Sequence, residues 1–122
     1  MIPRQITGVL RRRLAAYPAV ALVGPRQSGK TTLATSFAGQ YFDMEQESDR
    51  LRVDIGWERL MQGTDLVIFD EAQAWPELFT RLRGAIDRNR SSKGRFLLPG
   101  SVSPSLMTRV SESLAGSWHW SN

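Results

Sequence analysis

The chain has 122 residues, a formal net charge of +4 and no cysteine, and 41% of its residues are hydrophobic. This length and composition suit one globular domain and exclude two. The lack of cysteine excludes disulfides, thiolate metal sites and a cysteine nucleophile, and the single His119 cannot build a zinc site alone. The longest apolar run, Ala19–Val23, is too short to span a bilayer, and the first residues lack the apolar core of a signal peptide. We therefore expect a cytoplasmic protein with no membrane contact.

Predicted helices and strands alternate along the chain. Residues 3–16 carry apolar side chains at helical spacing, and Ala19–Val23 is a short apolar run typical of a strand that is buried on both faces. This alternation predicts an α/β protein with a central parallel sheet. Further helices are predicted at 29–38, at 46–62, from Pro76 onward and at 104–110. Further strands are predicted at 40–44, 65–69 and 95–98.

Two predicted helices have assignable inward faces. In the helix at 46–62, Leu51, Ile55 and Leu60 should share a broad apolar face. The helix that starts near Pro76 should bury four apolar side chains, namely Leu78, Leu82, Ala85 and Ile86. Each helix is therefore expected to cover part of the sheet.

A phosphate-binding motif follows the first predicted strand. Gly24, Gly29, Lys30 and Thr31 match the Walker A pattern Gly-x-x-x-x-Gly-Lys-Thr. The glycines let backbone N–H groups turn toward phosphate oxygens, the lysine neutralises the β- and γ-phosphates, and the threonine hydroxyl ligates Mg²⁺. Lysine at this position is informative because the chain has only one other, Lys93. The predicted nucleotide-binding residues are Gly24, Pro25, Arg26, Gln27, Ser28, Gly29, Lys30, Thr31 and Thr32.

The predicted strand at 65–69 leads into two acidic residues. Asp70 and Glu71 follow it at the carboxyl edge of the sheet, where α/β proteins bind ligands. Asp70 is predicted to hold Mg²⁺ with Thr31, and Glu71 to polarise an attacking water, so that Glu71 and Lys30 are the predicted catalytic residues. Ser101, after the next strand, is a third catalytic candidate that would sense the γ-phosphate, although a strand-ending turn explains Gly100-Ser101 equally well.

Other charged residues have two interpretations. Asp43 either caps the segment after the second strand or contacts the site through water. Arg26 and Gln27 occupy variable loop positions, where they either have no specific role or contact the nucleotide or a partner. Residues 11–13 are three arginines on a helix face, which suits a solvated surface or a nucleic-acid or lipid contact. A second basic cluster is either a solvated face or a surface that binds the phosphates of a nucleic acid. It comprises Arg81, Arg83, Arg88, Arg90, Lys93 and Arg95.

The motifs together resemble one protein family. The loop at residues 24–32, the acidic motif at 68–73, Gly100-Ser101 and residues 112–116 closely resemble prokaryotic AAA-type ATPases, in which an N-terminal AAA domain precedes a C-terminal domain of uncharacterised role. The resemblance covers residues 3–116. It implies ATP and Mg²⁺ as ligands and a three-layer P-loop NTPase fold with strand order 5-1-4-3-2.

The chain departs from that family in three respects. Pro99 stands where the family usually has threonine before Gly-Ser, and Ser117 stands where it usually has arginine. The resemblance then stops, so we expect an ATPase domain at residues 1–116 and a divergent tail at 117–122, with a doubtful fifth strand, as in a truncated product. A homo-oligomer or a partner protein would then be contacted through the missing C-terminal domain.

Four functions remain open from the sequence. ATP hydrolysis leads, and a nucleotide-binding module with little or no hydrolysis follows because of Ser117. A small-molecule kinase has less support, since Glu71 beside Asp70 favours water activation and no lid segment is evident. Nucleic-acid binding is compatible with the first function, but no aromatic residues interleave the basic cluster for base stacking. No Asn-Lys-x-Asp motif supports guanine specificity.

Overall fold

The computed structural model describes residues 4–23, 30–37 and 39–100. None of the described helices has the length and hydropathy of a membrane-spanning segment. The short helix predicted at 104–110 and the doubtful fifth strand at 117–122 lie outside the described residues. The strands are β1 (Ala19–Val23), β2 (Gly39–Asp43), β3 (Leu66–Asp70) and β4 (Phe96–Gly100). The helices are α1 (Arg4–Ala16), α2 (Lys30–Thr35), α3 (Glu47–Ile55), α4 (Trp57–Gln62) and α5 (Glu77–Arg88), with a 3₁₀ turn at Ala72–Ala74.

The four strands form one parallel sheet in the order β1-β4-β3-β2. β1 pairs with β4 along its whole length, and β2 pairs with β3 up to Asp43 opposite Asp70. The predicted α/β fold with a parallel sheet is confirmed, and the observed order equals the 1-4-3-2 part of the predicted order. β4 therefore lies between the strand that precedes the Walker A match and the strand that ends at Asp70.

Side chains that alternate along the strands form two hydrophobic layers. On one face, Phe69 and Phe96 pack with residues of α3, α4 and α5. On the other face, Ile68 and Leu97 pack with residues of α1 and α2. Because helices cover both faces, the central strands have apolar side chains on both sides, as the sequence pattern predicts. The inward residues predicted for α5 are confirmed, with the addition of Phe79.

The helix predicted at 46–62 is two helices, α3 and α4, that meet at Gly56. Val53 is fully buried, whereas Leu51 and Ile55 are 56% and 78% exposed. Successive helical residues are about 100° apart, so residues two positions from Val53 lie on the opposite side of α3. The prediction that Leu51 and Ile55 face the core is therefore wrong, while the inward position of Leu60 is confirmed.

Two glycines should respond in opposite ways to alanine. A Cβ at Gly39 would lie 2.4 Å from the backbone oxygen of Leu66 on the neighbouring strand, whereas a Cβ at Gly84 in α5 would meet nothing within 4 Å. We expect Gly39→Ala to lower the free energy of unfolding by about 1–3 kcal/mol through overpacking. Gly84→Ala should raise it by about 0.5–1 kcal/mol through helix propensity. Urea unfolding measures both, and equal effects would contradict the strand pairing described above.

Candidate functional site

The carboxyl edge of the sheet carries the candidate site. β1 ends at Val23, immediately before the Walker A match, and β3 ends at Asp70. Asp70 and Glu71 are only 5% and 9% exposed. Among the side chains that the structure describes, these two are the buried charged ones. Burying a carboxylate is costly unless it is hydrogen-bonded or binds a cation. The burial of two successive carboxylates at this edge therefore favours a binding or catalytic role.

Asp70 is held in place by strand β2 and by Met44, the residue that follows it. The Tyr41 hydroxyl donates a hydrogen bond to Asp70 Oδ2 at 2.5 Å, and the Met44 N–H donates to the Asp70 carbonyl at 2.9 Å. Burial, followed by the hydrogen bond to Asp70, raises the pKa of the Tyr41 phenol above its usual value, so the phenol stays neutral and remains a donor at physiological pH. Tyr41 is not among the site residues predicted from sequence, because it lies 29 positions from Asp70 along the chain.

Glu71 has a left-handed backbone conformation, with φ 52° and ψ 48°. Its N–H donates to the Pro99 carbonyl at 2.8 Å, which ties the turn after β3 to the end of β4. Its Oε2 accepts a hydrogen bond from Gln73 Nε2. A left-handed conformation costs a non-glycine residue roughly 1–2 kcal/mol, and such strain concentrates at functional sites. Gln73 is also absent from the predicted site residues, although it belongs to the acidic motif that carried the resemblance.

Replacing Glu71 with glycine or with alanine should separate backbone strain from loss of the carboxylate. Both variants lose the carboxylate, but only glycine adopts a positive φ without steric cost. We expect the Glu71→Gly variant to be more stable than the Glu71→Ala variant by about 1 kcal/mol. The free energy of unfolding in urea measures the difference. A Glu71→Ala variant as stable as Glu71→Gly would show that the Glu71 backbone is not strained.

Asp43 serves the turn that follows β2. Its Oδ1 accepts a hydrogen bond from the Glu45 N–H at 3.0 Å, and its own N–H donates to Asp49 Oδ2 at 2.8 Å. Asx side chains often organise a turn in this way. The contacts therefore support the capping interpretation of Asp43 rather than a contact with the site.

Arg81, the first residue of the basic cluster, lies in α5 and contacts other side chains of the protein. Its Nη2 lies 2.6 Å from Asp54 Oδ1 and 3.0 Å from Glu77 Oε2. Its guanidinium also packs over the rings of Trp57 and Trp75, at 5.5 and 5.1 Å from their centroids. The Arg81 side chain therefore links α3, α4 and α5, and these contacts do not favour a role in binding the phosphates of a nucleic acid.

Arg95 has a similar structural role at the start of β4. It donates to the Ala85 carbonyl at 3.0 Å and to the Met61 carbonyl at 3.3 Å, and burial lowers the pKa of its guanidinium. Just after the end of α5, Arg90 Nη2 lies 2.7 Å from Asp87 Oδ1 and forms an ion pair with it. These contacts favour structural and solvated roles for the cluster over nucleic-acid binding.

Much of the predicted phosphate site falls outside the described residues. This applies to Ser101 and to the loop residues Gly24, Pro25, Arg26, Gln27, Ser28 and Gly29. Lys30 and Thr31 begin α2, but the described part does not include their side chains, and Thr32 is exposed on the same helix. Among the predicted site residues, side-chain hydrogen bonds are thus described for Asp70 and Glu71.

Comparison with known proteins identifies the family. Residues 16–120 match the family described as "AAA domain". Two uncharacterised proteins, one from Mycobacterium bovis and one from Mycobacterium tuberculosis, are each 43% identical to the chain over 117 residues, which is 93% of this chain and 26% of the relative. The chain thus spans about a quarter of the length of these curated relatives. The predicted resemblance is confirmed: the chain belongs to the AAA domain family of P-loop ATPases.

Proposed function

We propose that this chain binds ATP and hydrolyses it, in a Mg²⁺-dependent reaction, to ADP and phosphate. The observation that carries the proposal is the burial of Asp70 and Glu71 at the carboxyl end of β3. Strand β4 alone separates β3 from β1, which leads into the Walker A match. Since neighbouring strands lie about 4.8 Å apart, the end of β3 is roughly 10 Å from the end of β1, the strand that precedes the Walker A match. This separation suits a metal ion and phosphate groups between the two motifs.

The oxygen donors at this edge fit Mg²⁺. The ion prefers hard oxygen ligands and is usually held by one or two carboxylates together with water and substrate phosphates. Asp70 offers a buried carboxylate that is oriented by Tyr41, and the Thr31 hydroxyl would be the second protein ligand. When bound, Mg²⁺ neutralises charge that develops on the phosphates.

The remaining roles follow from the chemistry of each side chain. Lys30 would pair with the β- and γ-phosphates, and the backbone of residues 24–32 would surround them. Glu71 would accept a hydrogen bond from the attacking water and orient it. Ser101 would sense the γ-phosphate. The proposal places this activity in residues 1–116.

A second candidate is a nucleotide-binding module with little or no hydrolysis. The observation that favours it is serine at position 117, where related ATPases usually carry arginine. An arginine that contacts the transferred phosphate is worth roughly 10³–10⁵ in rate, although a neighbouring subunit could supply one such as Arg109. We therefore expect turnover below roughly one per second for the isolated chain.

Steady-state phosphate release from saturating Mg-ATP separates the two candidates. Slow release that stops when Mg²⁺ is removed with EDTA supports hydrolysis. Binding of Mg-ATP without release supports the second candidate. Release that continues unchanged in EDTA would contradict the proposed use of Mg²⁺.

A further inference from the structure

The side chain of Gln73 lies between Glu71 and the end of β4. Its Nε2 donates a hydrogen bond to Glu71 Oε2. On its other side, a Cβ added to Gly100 would lie only 2.9 Å from Gln73 Oε1. Glycine at position 100 therefore leaves the room that the Gln73 amide occupies.

Hydrogen-bond chemistry fixes which way this amide points. The NH₂ group of Gln73 donates to Glu71 Oε2, and the carbonyl oxygen of Gln73 therefore faces Gly100. The 3₁₀ turn brings the two residues close together, and it is closed by a hydrogen bond from the Ala74 N–H to the Glu71 carbonyl at 3.0 Å. Gln73 thus reaches back across its own turn to the Glu71 side chain.

Glu71 is consequently held at two points. Its backbone is fixed by the hydrogen bond to the Pro99 carbonyl in a strained, left-handed conformation, and one oxygen of its carboxylate is fixed by Gln73. A group that orients water must be held within a fraction of an ångström of its working position to act efficiently. A fixed backbone together with one fixed carboxylate oxygen meets that requirement.

We propose that Gln73 is a positioning residue that holds the Glu71 carboxylate in the direction needed to orient the attacking water. The inference rests on the proposed function, because it assigns Gln73 a role only through Glu71. Gly100 leaves space for the Gln73 amide, which a side chain at position 100 would displace. The two residues therefore act on turnover through the same carboxylate.

The test measures phosphate release and Mg-ATP affinity for the parent chain and for Gln73→Ala, Gln73→Met and Gly100→Ala. Methionine keeps the length of glutamine but has no amide, so both Gln73 variants should lower kcat by about 10- to 100-fold with KM and Kd for Mg-ATP unchanged. Gly100→Ala pushes on the far end of a flexible side chain, so it should lower kcat in the same way and leave the fold intact. The thermal melt of each variant shows whether it folds.

A double variant makes the test specific. In Gln73→Ala the amide that a Gly100 Cβ would strike is gone, so adding Gly100→Ala should cause no further loss of kcat. Additive losses, or a Gln73→Met variant with parental kcat, would overturn the inference. The proposed function is tested separately with Glu71→Gln. If turnover does not depend on Glu71, the role assigned to Glu71 fails and the inference fails with it, although ATP hydrolysis itself would stand. Turnover that depends on Glu71 but not on Gln73 overturns the inference alone.

Discussion

Glu71→Gln is expected to lower the rate of ATP hydrolysis by about 10²–10⁴-fold, the range that a general base contributes in enzymes. The substitution keeps the size of the side chain and its capacity to accept a hydrogen bond from Gln73, but it removes the negative charge that polarises water. Binding of Mg-ATP should be retained, because Glu71 is not proposed to contact the nucleotide. The measurement is steady-state phosphate release together with Mg-ATP affinity by calorimetry.

Glu77→Gln is a matched control for that variant. Glu77 lies in the first turn of α5 and pairs with Arg81 at 3.0 Å, with 58% of its side chain exposed. Exposed pairs contribute little to stability, so this variant should hydrolyse ATP at the parental rate. A loss of turnover in Glu77→Gln equal to that in Glu71→Gln would contradict the specific role of Glu71.

Lys30→Ala is expected to weaken Mg-ATP binding by about 30- to 1,000-fold, which corresponds to about 2–4 kcal/mol. The loss is large because the β- and γ-phosphates would keep their negative charge in the site without the cation that pairs with them. Hydrolysis should also fall, since the same ammonium group stabilises the phosphates as the reaction proceeds. Calorimetric titration with Mg-ATP gives the dissociation constants.

The second lysine of the chain provides the control. Lys93 lies on the surface beyond α5, where its Nζ donates to the Arg90 carbonyl at 3.2 Å. Lys93→Ala removes the same charge from the chain without touching the proposed site, so its Mg-ATP affinity should equal that of the parent. If both variants weaken binding to the same extent, the effect comes from net charge, and the assignment of the Walker A lysine is wrong.

The strand positions could be predicted from sequence because their cause is local. Each central strand is buried on both faces, and a run such as residues 66–69 has no polar residue that could face water. The order of strands matched the P-loop pattern that the motifs imply. The break at Gly56 could not be predicted in this way, because the apolar residues on either side of it suit one long helix equally well.

The contacts within the candidate site have causes that local sequence does not contain. The hydrogen bond from Tyr41 to Asp70 depends on β2 pairing with β3 in one register. The left-handed conformation of Glu71 is set by the bond from its N–H to Pro99 on another strand, at a position where the sequence has no glycine to signal a positive φ. Acidic residues could therefore be assigned from the motif, while the groups that orient them could not.

Calorimetric titration of the 122-residue chain with ATP, in Mg²⁺ and in EDTA, decides whether this is a Mg-ATP-binding domain. We predict saturable binding at one site per chain, tighter in Mg²⁺ than in EDTA, and an Asp70→Asn variant in which the advantage of Mg²⁺ is lost because the charged ligand is gone. A chain that melts cooperatively, and is therefore folded, yet shows no saturable binding of ATP in Mg²⁺ would contradict the proposed function.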